Sequence, residues 1–570
     1  MGQAAVSLRR RALLAAGLEA AGALGLAGCG RGASPVAPAR EIDMRWVGAE
    51  HARGHRLRDA AAVQAAAWPE QSRRAAVLIV GAGVAGLAAA RAFMRQGVDD
   101  VHVLDLEDQA GGNARAHEMA GIACPLGAHY LPLPGPEARE VSEWLHEIGL
   151  LHTDAAGRTR PDERHLCHSP QERLFFEGQW VEGLLPPAAP GSMRLAQYRL
   201  FAARVAALQR LPGGLARARG DSGAARAFAL PAHRSARSAE VSALDHLVFA
   251  EWLARAGLHE PALLSYLDYC CRDDYGAGIA TVSAWAGLHY FASRHGFTAA
   301  LGEGDGESST AGTRDAVFTW PEGNAWLTQR LAAPLGTGRL HTGQMVLAVR
   351  EERHGVSVLA FDERTAAPVH WRADLVVLAL PLFVAQRIVQ AAPATLLAAL
   401  RAAAAALTYA PWLVANLHLD RPLLERASGA PPAWDNVIHG SAGLGYVDAT
   451  HQGLSPVRGA MALTAYHALP AAQRAALLAT DPGPWGERVL AELSPVHPDL
   501  RQRVSRIDLM RYGHAMAVPR PGLLRHPALA ALRAARGRLR FAHSDLAGYS
   551  VFEEAFIAGC EAAWPTVSNT

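Results

Sequence analysis

The stretch VLIVGAGVAGLAAARAF, residues 77–93, decides the fold, because it joins an apolar run to three closely spaced glycines and then to a helix-like segment. Residues 76–80 are apolar at every position, which predicts a buried parallel strand. Gly81 permits the tight turn that follows, Gly83 lets a phosphate group approach the backbone, and Gly86 lets the helix pack closely on the strand. The spacing therefore predicts a dinucleotide-binding turn.

The residues after the turn complete this unit. A helix is predicted from about Val84 to Gln96, and its first residues, Val84 and Ala85, offer free N–H groups and the positive end of the helix dipole to a diphosphate. A second strand, Val101–Leu104, ends in Asp105, whose carboxylate can accept hydrogen bonds from ribose hydroxyls. Glycine spacing alone is weak evidence, but the complete unit is strong evidence for a bound dinucleotide. The unit does not separate FAD from NAD.

Length and composition limit the class of protein. The chain has 570 residues, which predicts two or three interleaved domains rather than one compact core. Half of the residues are apolar and 19% are charged, as in an ordinary globular protein. The formal net charge of +2 gives no nucleic-acid footprint, so nucleic acid is not expected as a partner. The sequence contains no lysine, and all 55 basic residues are arginines.

The segment DLEDQAGGNARAHEMAGIACPLGAHYL, residues 105–131, resembles the region after the second strand in flavin amine oxidases, phytoene desaturases and protoporphyrinogen oxidases. In that family the glycine pair that matches Gly111 and Gly112 approaches the FAD diphosphate. The pair that matches Gly127 and Ala128 runs beside the isoalloxazine ring. The resemblance implies that the cofactor is FAD.

Two distant stretches resemble the same family. TWPEGNAWLTQRLA (319–332) and ADLVVLALP (373–381) match its return to the FAD domain, and Val346 matches the position whose backbone meets the adenine. GRLRFAHSDLAGYSVFEEAFIAGCEAA (537–563) matches the closing flavin motif, in which Asp545 corresponds to the acidic residue that binds the ribityl or diphosphate part of FAD. His543 and Val551 lie in the same motif and are expected at the cofactor.

The resemblance implies an α/β fold, with a Rossmann-like FAD-binding domain of the glutathione-reductase type interleaved with an α+β substrate domain. We also expect helices over residues 194–210 and 240–258 and a loop over 302–313. The predicted divisions are a signal segment (1–28), a tether (29–74), FAD-binding parts (75–131, 316–384 and 531–570) and substrate-domain parts (132–315 and 385–530).

The sequence departs from the family at the positions that decide its chemistry. Asn113 stands where the family has arginine, and Arg115 two residues on could supply the charge. Many amine oxidases place a lysine at the flavin N5, and this chain has none. Val551 stands at an expected aromatic position of the substrate cage, although Tyr549 and Phe552 lie close by.

Candidates for catalysis follow the flavin-side glycine and lie in the later motifs. They are His129, Tyr130 and His514, with His543 as a further histidine. Each can instead be a hydrogen-bonded structural residue. A strong base is not required, because flavin oxidation removes a hydride and the protein chiefly positions a C–H bond and excludes water.

Three functions remain open. The first is an FAD-dependent oxidoreductase that oxidises a C–N bond of a small amine and passes electrons to oxygen or another acceptor. The second is a desaturase-like enzyme that acts on a C–C bond of an apolar substrate, which the missing lysine and aromatic pair favour. The third is a non-catalytic flavoprotein that serves in electron transfer or assembly.

The first residues resemble an export signal. Arg9 to Arg11 precede a weakly apolar run over residues 12–27, as in a twin-arginine signal, and LAGC at 26–29 resembles a bacterial lipobox. The alternative is an amphipathic or disordered N-terminus with a chance cysteine. The first interpretation predicts a lipidated Cys29 and a periplasmic protein anchored to a membrane surface.

The remaining cysteines are Cys124, Cys167, Cys270, Cys271 and Cys560. Their irregular spacing predicts neither a disulfide framework nor a metal site. The neighbouring Cys270 and Cys271 could be redox-active, and buried packing is the alternative.

Overall fold

The computed structural model describes residues 41–49, 51–58, 68–211, 226–236, 238–297, 316–425, 427–453 and 459–564. Cys29, the predicted signal segment and the predicted loop at 302–313 lie outside these ranges. Part of the predicted tether over residues 29–74 is instead ordered, because Asp43–Trp46 form a strand parallel to Val504–Ala517. Met44 and Trp46 alternate toward the core there, a burial that the segment's composition does not indicate.

The first sheet is parallel around the glycine-turn strand. Ser72–Val80 pairs in parallel with Val101–Leu104 on one side and with Ala367–Leu378 on the other. It is longer than the predicted 76–80, because its pairing with Ala367–Leu378 already begins at Ser72. The strands in spatial order are Leu340–His341, Val101–Leu104, Ser72–Val80, Ala367–Leu378, Gly355–Asp362, Gln344–Glu352 and Val389–Ala391, and Leu539–Phe541 also pairs with Ala367–Leu378.

Two helices beside this sheet pack very closely against each other. Val84–Arg95 follows the glycine turn at the predicted start, and Phe552–Ala562 is the last helix of the described chain. A Cβ on Gly559 would lie 2.2 Å from the carbonyl oxygen of Ala85, so this contact requires glycine. The close approach fixes the first turn of Val84–Arg95 against the later part of Phe552–Ala562.

The second sheet is built on two long antiparallel strands, Tyr409–Leu419 and Val504–Ala517. The strands in spatial order are Asp43–Trp46, Val504–Ala517, Tyr409–Leu419, Met461–Ala468, Tyr446–Asp448, Asp435–Ile438, Glu172–Phe176 and Gln179–Glu182. Short two-stranded pairs are Tyr130–Pro132 with Val317–Thr319, Ala116–Met119 with Ile122–Pro125, and Leu151–Thr153 with Thr159–Pro161.

The α-helices of the described chain are His51–His55, Val84–Arg95, Arg139–Glu147, Met193–Gln209, Ala239–Leu244, Phe249–Arg255, Pro261–Tyr275, Ala284–His289, Ala325–Ala332, Gly336–Arg339, Leu382–Ile388, Ala394–Ala406, Arg474–Ala479, Pro482–Leu493, Leu500–Arg503, Pro527–Arg533 and Phe552–Ala562. A π-helix, Tyr290–His295, continues Ala284–His289.

One predicted helix is wrong in extent. Residues 240–258 form two helices, Ala239–Leu244 and Phe249–Arg255, rather than one. Val248 between them is extended and bridges Ser283, and this tertiary pairing overrides the helical spacing of the apolar residues. The helix predicted over 194–210 is present as Met193–Gln209.

A cavity of about 530 Å³ lies where the two sheets come together. The ends of Ser72–Val80 and Val101–Leu104 line it from the first sheet, and Tyr409–Leu419 and Val504–Ala517 line it from the second. The fold therefore brings the predicted glycine turn and the predicted substrate side to one space.

Candidate active site

The glycine turn combines two glycines that packing requires with one that faces the cavity. Gly81 has a φ of 108°, and a Cβ there would lie 2.2 Å from the carbonyl oxygen of Ala379. A Cβ on Gly86 would lie 1.8 Å from the carbonyl oxygen of Gly81. Gly83 lines the cavity, and among the described residues the nearest atom to a Cβ there is the Cα of Gly112, at 3.8 Å. The turn thus leaves space between two glycine backbones.

The helix start and Asp105 present complementary polar groups to this space. Val84 and Ala85 line the cavity at the helix N-terminus, where backbone N–H groups have no carbonyl partner within the helix. Asp105 accepts hydrogen bonds from the N–H of Ala82 at 2.6 Å and of Glu107 at 2.8 Å. Burial raises the pKa of Asp105 to about 6, although these two N–H groups lower it. Donors at the helix start and an acceptor on the next strand therefore face one cavity.

The second glycine pair, Gly111–Gly112, lines the cavity opposite the turn. Asn113, at the family's arginine position, donates from Nδ2 to the carbonyl of Ala515 at 2.8 Å and so joins two distant segments. Arg115 donates from Nε to the Gly112 carbonyl at 3.0 Å, and its Nη1 lies 3.3 Å from the carboxylate of Glu107. Arg115 brings a positive charge to the cavity wall, where Glu107 already pairs with it.

The strip at Gly127 and Ala128 is held from several sides. A Cβ on Gly127 would lie 2.2 Å from the carbonyl oxygen of Asn113, which also accepts the N–H of Ala128 at 3.0 Å. The hydroxyl of Tyr466 donates to the Gly127 carbonyl at 3.0 Å, and the hydroxyl of Tyr512 donates to the preceding carbonyl at 2.8 Å. These contacts fix one wall of the cavity with its backbone exposed to the interior.

Asp545 is fully buried and carries an acceptor without a donor. Its Oδ2 accepts the Tyr409 hydroxyl at 2.6 Å and the Leu382 N–H at 2.8 Å. Its Oδ1 has no hydrogen bond in the described chain while the Nδ1 of His543, 3.2 Å away, accepts the Asp545 N–H at 3.1 Å; a protonated His543 would place a positive charge beside it. Burial raises the pKa of Asp545, but His543, Tyr409 and Leu382 outweigh it and hold the pKa below its usual value. An ionised oxygen at the cavity wall is therefore available to a ligand hydroxyl.

Two further predicted residues line the same cavity. Val346 is buried on Gln344–Glu352, and Val551 immediately precedes the last helix. Val551 therefore faces the cavity at the position where the resemblance led us to expect an aromatic ring. Tyr549 does not replace that ring, because it is buried in the core and donates its hydroxyl to Glu554 at 2.7 Å.

We call His129, Tyr466 and Trp434, whose rings pack together, the aromatic wall, and Tyr130 adjoins it. The His129 ring stacks on Tyr466 with centroids 4.4 Å apart, and Trp434 lies 5.5 Å away. Burial lowers the pKa of His129 to about 4, so its imidazole is neutral at neutral pH. Tyr130 lies edge-on to His129 at 5.1 Å, and burial raises the pKa of its hydroxyl.

His514 lines the cavity in a different group. Its ring centroid lies 4.6 Å from Phe383 and 5.8 Å from Tyr409, the residue that bonds Asp545. Burial, followed by the charge of Arg474, lowers the pKa of His514 to about 4. The structure therefore associates His514 with the Asp545 side of the cavity and His129 with the aromatic wall.

A set of charged residues also lines the cavity, and most of it comes from YLDYCCRDDYGAG (266–278) and SAWAGLHYFASRHG (283–296), two stretches whose sequence fits either a pocket lining or an aromatic-rich helix pair in the core. We call this set the acidic wall, and it consists of Asp273, Asp274, Glu553 and Arg294. Arg294 Nη1 lies 3.2 Å from Asp274, and its Nε lies 3.7 Å from Glu553. Glu553 is 1% exposed, and neither of its carboxylate oxygens has a hydrogen-bond donor among the described residues. The wall holds three carboxylates and one guanidinium.

Tyr130 connects the acidic wall to the aromatic wall. Its hydroxyl donates to Asp273 at 3.3 Å. Burial and the charge of Asp274 raise the pKa of Asp273 to about 7, although Tyr130 and Arg294 lower it. The π-helix Tyr290–His295 supplies Arg294, and interruptions of this kind often occur at functional sites.

Three further features concern metal binding, membrane spanning and cysteine reactivity. Within the described ranges no group of His, Cys, Asp and Glu side chains is arranged to hold a metal ion. No helix in those ranges has the length and apolarity needed to cross a bilayer. The five cysteines that the structure describes are free, and burial raises the pKa of the Cys270 and Cys271 thiols, which disfavours the reactive thiolate.

Comparisons with known proteins agree with this geometry. Residues 84–565 match the family described as flavin-containing amine oxidoreductase. A tryptophan 2-monooxygenase of Agrobacterium vitis is 33% identical over 126 residues, which cover 21% of this chain and 15% of that protein. The matched segments of the first curated relatives span less than a quarter of their own lengths.

Solved structures match over most of the chain. A putrescine oxidase bound to putrescine has a TM-score of 0.59 at 17% identity and covers 86% of this chain and 99% of its own. Cyclohexylamine oxidase from Brevibacterium oxydans has a TM-score of 0.59 at 18% identity and covers 86% and 98%. These likenesses confirm a mixed α/β fold with large sheets, and the family match confirms the prediction of a flavoprotein oxidoreductase that uses FAD. The chain belongs to the flavin-containing amine oxidoreductases.

Proposed function

We propose that the protein oxidises a C–N bond of a cationic amine with FAD as the immediate electron acceptor. The observation that carries this proposal is the acidic wall, where three carboxylates face the cavity with one guanidinium. Buried carboxylates that outnumber cations favour a positively charged ligand. The wall meets the aromatic wall through the Tyr130–Asp273 hydrogen bond, so an amine bound there lies beside His129.

We infer that the parallel strands and the glycine turn form a Rossmann-like site for FAD. Gly83 and Gly112 leave room for the diphosphate, and the N–H groups at Val84 and Ala85 favour its charge. Asp105 is assigned to ribose hydroxyls. The Oδ1 of Asp545 fits a ribityl hydroxyl, because it is buried and has no donor among the described residues.

Further cavity-lining residues are assigned to other parts of the cofactor. Val346 is assigned to the adenine, and the strip at Gly127 and Ala128 to the flavin ring. We propose that His514 acts at the cofactor, since it contacts Tyr409 and not the aromatic wall.

The substrate side works chiefly by positioning. FAD, when bound, supplies the acceptor for the hydride. Because the His129 imidazole is neutral, one of its ring nitrogens carries no proton and can accept a hydrogen bond from a substrate N–H. Tyr466 and Trp412 close the cavity with apolar ring surface, which excludes water from the reacting C–H bond. After the bound amine has given up one N–H proton to solvent, the C–H electron pair leaves as the hydride and the freed nitrogen lone pair forms the C=N bond.

The charge of the cavity favours amines over amino acids. One relative is named for tryptophan, whose carboxylate would need a cationic partner. Arg294 is the guanidinium of the acidic wall, and it already lies 3.2 Å from Asp274 and 3.7 Å from Glu553. A substrate carboxylate placed there would meet an excess of negative charge.

A second candidate function is supported by Val551. A valine at the expected aromatic position, together with the absence of lysine, favours the desaturase-like oxidation of a C–C bond. A non-catalytic flavoprotein is the third candidate. Oxygen uptake and peroxide release by the holoenzyme test all three. Turnover with amines supports the proposal, turnover only with polyenes supports the second candidate, and no turnover with either supports the third.

We also propose that the protein is exported by the twin-arginine route and anchored through a lipidated Cys29. The support is the sequence pattern over residues 9–29. The twin-arginine route moves folded proteins, which suits an enzyme that acquires FAD before export.

A further inference from the structure

A segment that the sequence assigns to a tether forms part of the cavity wall. It consists of residues 43–49 and 51–58, and we call it the N-terminal arm. Its first part, the strand Asp43–Trp46, belongs to the second sheet, whereas Ala49 and Leu57 further along the arm line the cavity. The arm therefore starts on the second sheet and reaches the space where the two sheets come together.

Leu57 identifies the end of the cavity that the arm reaches. It packs on the apolar cluster that contains Met345, the neighbour of the adenine position Val346. Leu106 packs on the same cluster, lines the cavity and directly follows Asp105, the residue assigned to ribose hydroxyls. The arm thus meets the end of the cavity that we assign to the adenosine part of FAD.

Two arginines fasten the arm to the cofactor side of the cavity. Both terminal nitrogens of Arg53 donate to the carboxylate of Asp108, at 2.8 and 3.1 Å. Nη1 of Arg53 also donates to the carbonyl of Leu106 at 3.4 Å. Arg56 pairs with Glu363, which lies just beyond a strand of the first sheet. The arm is therefore attached to both sides of the cavity.

The two ends of the arm are attached with unequal strength. At the strand end, Met44 and Trp46 pack on the core of the second sheet, beside the backbone pairing. Residues 51–58 contain no buried residue, and the side chain of their partner Asp108 is 69% exposed. Exposed ion pairs contribute much less to stability than buried apolar side chains do. Residues 51–58 can therefore detach while the strand stays paired.

We propose that the N-terminal arm closes the adenosine end of the FAD site and limits the rate at which FAD enters and leaves, with residues 51–58 as the part that moves. This inference rests on the proposed FAD site and not on the identity of the substrate. Leu57 supplies the apolar side chain of the closure, and Arg53 and Arg56 hold it in place. FAD exchanges when their ion pairs break and this part of the arm detaches.

Exchange of the bound cofactor tests the inference. The holoenzyme is mixed with a large excess of isotope-labelled FAD, and mass spectrometry follows the unlabelled FAD that remains on the protein. In the double variant Arg53→Ala, Leu57→Ala we expect release to be about 10- to 30-fold faster than in the wild type, because one ion pair and one apolar contact of the closure are lost.

Uptake of FAD by the apoprotein, followed by flavin fluorescence, supplies a second readout. A closure that moves must open for FAD to enter as well as to leave, so the double variant should also take up FAD several-fold faster. A contact that merely stabilises bound FAD would change the release rate and leave the uptake rate unchanged.

A matched double variant controls for the loss of one ion pair and one leucine side chain. Arg501→Ala, Leu397→Ala removes an exposed two-nitrogen pair with Glu487 and a partly buried leucine, and the cavity lining includes none of these residues. It should exchange FAD at the wild-type rate. Asp108→Asn weakens the pair with Arg53 from the other side and should speed release and uptake about threefold. It decides the case if the arm variant does not fold.

The two rates separate the outcomes. Faster release together with faster uptake supports the closure. Faster release with unchanged uptake, or wild-type rates in both the arm variant and Asp108→Asn, overturns the closure and leaves the FAD site and amine oxidation standing. A purified wild-type protein that binds no FAD overturns the proposed FAD site as well.

Discussion

The hydroxyl of Tyr130 donates a hydrogen bond to Asp273 across 3.3 Å and joins two parts of the chain that are far apart in sequence. Tyr130 follows the strip at Gly127 and Ala128, whereas Asp273 belongs to the helix Pro261–Tyr275. Through this bond the cofactor side of the cavity and its acidic wall are held in one arrangement. The ionisation of Asp273 is consequently linked both to ligand binding and to stability.

The raised pKa of Asp273 predicts a specific pH dependence of stability. Its folded pKa of about 7 exceeds the ordinary value of 3.8, so between these values the folded state holds a proton that the unfolded state has released. This carboxyl group therefore makes the unfolding free energy fall as pH rises from about 4 to about 7. Asp273→Asn should remove that decline, so the variant gains stability relative to wild type as pH increases. Denaturant unfolding at a series of pH values measures the unfolding free energy of both proteins. A difference between variant and wild type that stays constant with pH would contradict the prediction.

The two roles of glycine in the turn can be separated by substitution. Gly83→Val should fold, because a Cβ there meets only the Gly112 Cα at 3.8 Å, but it should purify without flavin absorbance since the side chain occupies the diphosphate position. Gly86→Ala should instead lose stability by about 1–3 kcal/mol or more, because its Cβ would overlap the Gly81 carbonyl. Gly338→Ala, in open space, is the control. Stoichiometric FAD in Gly83→Val would show that the turn serves helix–strand packing and does not bind the diphosphate.

Asp545 should contribute to cofactor affinity through the oxygen that lacks a donor. Asn at this position keeps an acceptor for Tyr409 and Leu382 but loses the charge that a ligand hydroxyl would meet. We expect Asp545→Asn to weaken FAD binding about 10- to 100-fold, the range for a hydrogen bond to a charged group. Reconstitution of the apoprotein followed by fluorescence titration measures this. Asp100→Asn does not touch the cavity and should bind FAD normally, and normal affinity in both variants would refute the assignment.

The location proposal depends on Cys29. A lipidated cysteine carries several acyl chains in the lipoprotein family, well beyond the marginal binding of a single chain, so the mature protein should sediment with membranes. Cys29→Ala should abolish labelling by a radioactive fatty acid and block normal signal cleavage. Equal labelling of wild type and variant, or no labelling of either, would remove the lipoprotein interpretation.

The cofactor side was predictable from the sequence because its requirements are local. Gly86 is required by its contact with the Gly81 carbonyl inside one strand–turn–helix unit, Gly81 has a positive φ at the turn itself, and Asp105 follows directly on the next strand. The resemblance then supplied Asp545, whose environment lies partly in Tyr409, far from its own motif. Each of these positions carries a short-range signal.

The acidic wall could not be located in the same way. Arg294 meets Asp274 and Glu553 only after the helices that carry these three residues have packed together, and no spacing in the sequence encodes those distances. The break at Val248 was missed for a similar reason, since a bridge to Ser283 replaces the helical bonds there. Strand Asp43–Trp46 likewise exists because its partner, Val504–Ala517, is at the other end of the chain.

The central claim is that a cationic amine reduces the flavin in this cavity. Anaerobic single-turnover mixing of the purified holoenzyme with amines, amino acids and polyenes tests it most directly, with the absorbance of oxidised flavin as the readout. The proposed function predicts bleaching by amines and little bleaching by amino acids or polyenes. Flavin that dithionite reduces but no amine reduces would contradict it.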